Sequence, residues 1–181
     1  AIGGGFTFRC ARDGEVLKTL DGVDRSCIVD DLLICDGNDV PVGLGGVMGG
    51  ADSEISESTT EVVLEIAWFA PLGIMKTASR HGLRSEASAR YERGVDPALA
   101  DRAIGRFAEL LSLTCPELVV HAGGTDERSS GMPDLARSTN VRISEVNRIL
   151  GTALQIDDLP GLLGSIGFRA EVKAEVAEVS L

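Results

Sequence analysis

Three stretches of the chain carry residues whose types and spacing suit chemistry. Pro41 to Gly50 reads PVGLGGVMGG, and its five glycines in ten residues let backbone amides face a ligand with no side chain between. It is not a phosphate loop, because Met48 stands where a third spaced glycine would be needed and no Gly-Lys-Ser/Thr follows. The same glycines equally suit a bulged strand pair with close backbone packing. The second stretch is EVVLEIA, Glu61 to Ala67, where Glu65 interrupts an apolar run. On a strand that carboxylate either points to solvent or enters a pocket, where a ligand hydroxyl or amine could pair with it.

The third stretch, Arg80 to Pro97, reads RHGLRSEASARYERGVDP. Small side chains at Ser85, Ala87 and Ser88 let a ligand come close. Arg80, Arg84, Arg90 and Arg93 suit a phosphate or a carbonyl, with only Glu86 and Glu92 among them. A solvated helix face with ion pairs, capped by Ser85, is the competing reading. Neither His81 nor Ser88 comes with a visible triad, so no covalent nucleophile is expected.

These stretches need elements to hold them. Phe6 to Arg9 and Ser26 to Cys35 read as short antiparallel strands, with Asp13-Gly14 and Asp21-Gly22 as turn dipeptides. Glu61 to Ala67, rich in β-branched residues, is the best single strand candidate. Pro71 suits a first helical turn and Gly82 a C-terminal cap, which predicts a helix around Ile74 to Arg80. Asp96-Pro97 opens another helix, whose Leu99, Ala103, Ile104, Phe107, Leu110 and Leu111 recur at helical spacing as a packing face. Gly123 to Pro133 is polar and loop-like, and a domain boundary is expected near Ala136. Beyond it come a strand at Asn140 to Ile143, a helix from Ser144 to Gly151, a helix from Asp157 to Ile166 and a final strand-like alternation. That second unit is expected to be incomplete, and both ends read as cut from a longer protein.

Composition narrows the classes. A chain of 181 residues, 44% hydrophobic and 25% charged, can bury a core. No apolar run approaches the roughly 20 residues of a membrane span. Cys10, Cys27, Cys35 and Cys115 show no paired spacing and read as buried free thiols, and with only His81 and His121 no metal site is expected. A net charge of -11 argues against broad nucleic-acid binding, so no DNA partner is expected and any RNA contact is local.

LGGVMGGADSEISESTTEVVLE at Leu44 to Glu65 and RHGLRSEASARYERGVDP at Arg80 to Pro97 together resemble the B3/B4 editing domain of the bacterial phenylalanyl-tRNA synthetase β-subunit family. The likeness runs back through LDGVDR, Leu20 to Arg25, and forward to VRISEVNRILG, which resembles the opening of the B5 domain. It implies an α+β fold, mainly antiparallel sheet with packed helices over 1–135, then the start of a small α+β unit over 136–181. It also implies a cytoplasmic α2β2 enzyme in which the α subunit uses ATP and Mg2+ to charge tRNA(Phe). No cofactor is expected on this part, whose expected task is hydrolysis of tyrosyl-tRNA(Phe).

That task has a physical logic, because a pocket shaped for phenylalanine rejects one added hydroxyl weakly. In the family the carboxylate matching Glu65 accepts the tyrosine hydroxyl, Gly45 and Gly46 match the pocket backbone, and Ser85 and Ala87 match its other wall. Arg80, Arg84, Arg90 and Arg93 are candidate contacts to the tRNA acceptor end. Members often carry threonine where Ser85 stands and histidine where Ala89 stands. A family histidine that contributes to hydrolysis falls upstream of Ala1, and neither His81 nor His121 matches it. Water is therefore the expected nucleophile, and this part alone is expected to be weakly active or inactive. The alternatives are a non-catalytic tRNA-binding or structural module, and a free-standing RNA- or peptide-processing domain of related fold.

Overall fold

A computed structural model describes residues 2–132 and 137–180. The chain forms two compact units, Ala1–Gly131 and Met132–Leu181. The boundary expected near Ala136 falls outside the described residues.

In the first unit, β1 (Phe6–Cys10), β4 (Leu32–Asp36), β5 (Pro41–Leu44) and β6 (Met48–Gly49) form one antiparallel sheet in the order β1-β4-β5-β6. A separate hairpin pairs β2 (Val16–Lys18) with β3 (Asp24–Ser26). Its turn is Asp21-Gly22, with Gly22 at a φ of 78°, and a bridge from Thr19 to Gly50 ties the hairpin to the glycine-rich stretch. The sheet's register shifts at Ile34/Cys35, and Asp36 closes the following turn by accepting from the Asn38 and Val40 amides at 2.9 and 3.0 Å. Leu33, Cys35, Leu44, Val47, Phe69 and Ile74 belong to the buried core between these strands and the helix that follows.

That helix, α1 (Pro71–His81), has the expected punctuation: proline in its first turn and Gly82 at a left-handed φ of 62° after its last. Next come α2 (Glu86–Tyr91), a 3-10 turn at Pro97–Leu99 capped by Asp96, and α3 (Ala100–Thr114). Three expectations are corrected here. Residues 61–67 form no strand, because strand propensity is realised only beside a ladder partner, and Val62, Val63 and Leu64 stand exposed. The stripe on α3 is helical as expected but buries no residue; Leu99, Ile104, Phe107 and Leu110 are exposed. Periodicity identifies a face, not the surface that covers it. Cys27 and Cys35 are buried thiols, whereas Cys10 and Cys115 are exposed: an apolar neighbour in sequence does not bury a residue at the end of an outer strand or just past a helix terminus.

The second unit has β7 (Ser138–Arg142), α4 (Ile143–Leu150), a 3-10 turn at Ile156–Asp158, α5 (Leu159–Gly164), β8 (Arg169–Lys173) and β9 (Val176–Ser180). Its sheet runs β7-β9-β8, all antiparallel. The alternation expected at the chain's end is β9, which buries Ala177 and Val179 against Leu159. The Asn147 side chain finishes α4: its Oδ1 accepts from Thr152 and the Leu154 amide, each at 2.8 Å. The α+β class is as expected.

Candidate functional site

The glycine-rich stretch is a strand pair whose ends meet at Leu44 and Met48, leaving Gly45, Gly46 and Val47 as the turn. The Gly45 N–H donates to the Leu32 carbonyl at 2.8 Å, and the Val47 N–H donates to Leu44 at 3.0 Å. Gly46 adopts a φ of 68°, and a Cβ there would stand 2.7 Å from Ile74 Cδ1 and 2.8 Å from Phe69 Cδ2. Only glycine fits both the backbone and the space. The turn is thus pressed onto α1 and Phe69, and it leads into the strand Met48–Gly49 and a single 3-10 turn at Ala51–Ser53, not into the α-helix N-terminus of a phosphate loop.

Phe69 links the turn to α2. Its ring meets Tyr91 edge-on, with centroids 5.0 Å apart and planes at 79°. Tyr91 in turn is sensitive to Glu65. Desolvation pushes the Tyr91 phenol above its usual range, and the Glu65 charge pushes it further. Glu65 is itself raised above the ordinary glutamate value by desolvation, with no cation or hydrogen bond among the described residues to offset it. The residue itself is exposed to solvent, so the desolvation acts on a carboxylate at the surface and not on one enclosed in the fold. Such a group gains from any donor that approaches it.

Ser85 closes the other side. Its Oγ donates to the Val47 carbonyl at 2.5 Å and accepts from the Ser88 amide at 3.0 Å, so one hydroxyl caps α2 and staples it to the glycine turn. Ala87 is exposed on the first turn of α2. Ser88 is fully buried and its hydroxyl donates to the Ser85 carbonyl at 3.1 Å, which commits it to the helix cap. Packing and hydrogen bonds therefore link Gly46 and Ser85 through Phe69 and Val47, and the Glu65 charge acts on this group at Tyr91.

The arginines separate. Arg80, exposed at the end of α1, pairs with the fully buried Asp31. Arg84 lies 3.6 Å from Glu92, Arg90 lies 2.7 Å from Glu86, and both are largely exposed, as is Arg93. The residue that sequence reasoning passed over is Asp31. Its Oδ1 accepts from Thr77 at 2.9 Å and from Arg80; its Oδ2 accepts from the Ile28 amide at 3.0 Å and meets His81 Nε2 at 2.9 Å. Burial pushes the Asp31 carboxyl up, but the Ile28 amide, His81 and Thr77 bring it below its ordinary value. Arg25, from the LDGVDR stretch, donates to the His81 carbonyl at 2.9 Å.

The B3/4 domain family matches residues 1–116, the portion that holds all of these groups. This chain belongs to the B3/4 domain family. The B3/4 chain is 44% identical over 161 residues to a phenylalanine-tRNA ligase beta subunit of Anaeromyxobacter dehalogenans, covering 89% of the chain and 20% of that protein. It is 41% identical over 160 residues to the beta subunit of Geobacillus kaustophilus, 88% of the chain and 19% of the relative. With that of Leifsonia xyli it shares 41% over 169 residues, 92% and 19%. The B3/4 chain spans about a fifth of the length of the curated relatives it matches. No helix among its described residues is long and apolar enough to cross a membrane.

Proposed function

We propose that this B3/4 chain forms a wall of an editing site that hydrolyses the ester of tyrosyl-tRNA(Phe). What supports the reading is Glu65: an exposed carboxylate, raised by desolvation and with no cation paired to it among the described residues, whose charge acts on Tyr91, the ring that packs against Phe69. A tyrosine hydroxyl donates to it, whereas a phenylalanine ring leaves it unpaired. A carboxylate that the bound ring covers and leaves unpaired costs about 1–3 kcal/mol. The amide of Gly46, unengaged among the described residues while its neighbours bond within the sheet, is available to the ester's carbonyl oxygen. Ser85 holds that turn and the Ala87 wall at fixed separation. Water attacks the ester carbon, and the products are tyrosine and a tRNA with its terminal hydroxyl restored.

In the longer protein, the same reading places this chain in the cytoplasm, in an α2β2 assembly whose α-type subunit charges the tRNA with ATP and Mg2+. The glycine turn, packed on Phe69 and Ile74, does not fit a nucleotide phosphate, so no step here runs through those cofactors. The exposed Arg84, Arg90 and Arg93 supply local positive charge for the tRNA acceptor end, although the chain as a whole is acidic. Those arginines would equally serve a non-catalytic tRNA-binding module. Deacylation by the full-length β-type chain with its α-type partner separates the two: the editing reading expects tyrosyl-tRNA(Phe) to lose its amino acid faster than phenylalanyl-tRNA(Phe), and a binding module cleaves neither.

A further inference from the structure

We propose that Asp31 is a positioning residue for this site, acting through the last turn of α1. The proposal rests on the editing reading for its chemistry; the geometry stands without it. Asp31 is fully buried, and its two oxygens hold three side chains from that turn, Thr77, Arg80 and His81. Arg25 grips the same turn from the hairpin side, at the His81 carbonyl, while its other arm bonds Asp21 at 2.5 Å.

The next residue is Gly82, in the left-handed region, where a glycine backbone turns most freely. Three residues separate His81 from Ser85, whose hydroxyl is fastened to Val47. The segment carrying the site's wall is therefore anchored at both ends, and the link between them is tied to the last turn of α1, where the Gly82 and Leu83 amides donate to Ser79 and Ala78 and Leu83 is buried in the core. Loosening the Asp31 end lets the Ser85–Ala87 wall shift against the glycine turn, and a displacement of an ångström in a positioning element costs orders of magnitude in rate.

Cys27, Asp31 and His81 offer ligand atoms within 4.8 Å of one another, the spacing of a metal site. Positioning accounts for them better. Both Asp31 oxygens already have two partners each, Arg80 brings a positive charge to one of them, and burial pushes the Cys27 thiol up to about 11, so it keeps its proton. An ion would have to displace all three arrangements.

Asp31→Asn in the full-length chain with its α-type partner tests the proposal. The kcat for tyrosyl-tRNA(Phe) should fall about tenfold, KM should stay within twofold, and charging with phenylalanine should be unchanged. In hydrogen exchange, residues 82–92 should exchange about tenfold faster while β1 and β4 keep their protection. A folded Asp31→Asn that hydrolyses at the wild-type rate, or faster exchange spread evenly through the first unit, overturns it. Should Asp31→Asn fail to fold, Arg25→Met must give the same kcat loss and the same local exchange, and wild-type behaviour there refutes the proposal. A wild type that cleaves neither ester defeats the editing reading instead, and the exchange pattern still decides whether the clamp exists.

Discussion

The hydroxyl of Ser85 donates to the carbonyl of Val47 across 2.5 Å, joining the start of α2 to the glycine turn 38 positions earlier in the chain. The same oxygen caps α2 at the Ser88 amide. Ser85→Ala removes both bonds and should cost about 1–2 kcal/mol of stability, read as a lowered denaturation midpoint. Ser85→Thr keeps the hydroxyl and should recover most of it.

Gly46→Ala should be the more damaging change. It combines a left-handed backbone with a methyl driven into Ile74 and Phe69. A loss of about 2–4 kcal/mol is expected from strain and overpacking together. Chemical denaturation measures it, and Gly73→Ala, where a Cβ meets nothing within 4 Å inside α1, is the control that should leave stability unchanged or raised.

Glu65 carries a stability consequence opposite in sign to most carboxylates. Its folded pKa lies above the ordinary value, so its contribution to stability is full below the unfolded pKa and is lost as pH rises through the folded one. Glu65→Gln should therefore raise the melting temperature at pH 7, and the gain should vanish below about pH 4. A variant less stable than wild type at pH 7 would show that the carboxylate has a partner.

Glu15 behaves the other way. The Arg9 guanidinium, bonded at 2.7 Å, holds its carboxyl down at about 2 against 4.5 unfolded. Stability from this pair is present above the unfolded pKa and fades as pH falls from about 5 towards 2. Glu15→Gln should flatten the acid limb of a stability profile and lower stability at pH 7 by about 1–2 kcal/mol, solvent on the outer side of the cluster limiting the loss.

Much of this was legible in the residues because it is local. Pro71 and Gly82 bound α1, Asp21-Gly22 turns the β2/β3 hairpin, and Ser85 caps α2, each through chemistry within a few positions. Residues 61–67 misled because strand formation depends on a neighbour that composition does not specify. Asp31 could not be read as important, since its side-chain partners lie 46 to 50 positions away and nothing around it marks it as buried. Glu65 stood out as a carboxylate among valines, but the reach of its charge to Tyr91 required the fold.

The most direct test compares wild type with Glu65→Ala in the full-length β-type chain with its α-type partner, measuring the ratio of tyrosyl- to phenylalanyl-tRNA(Phe) hydrolysis. If Glu65 reads the tyrosine hydroxyl, the ratio should fall by about 5- to 150-fold, the worth of one hydrogen bond covered by the bound amino acid, while charging with phenylalanine is untouched. An unchanged ratio in the variant would contradict the account.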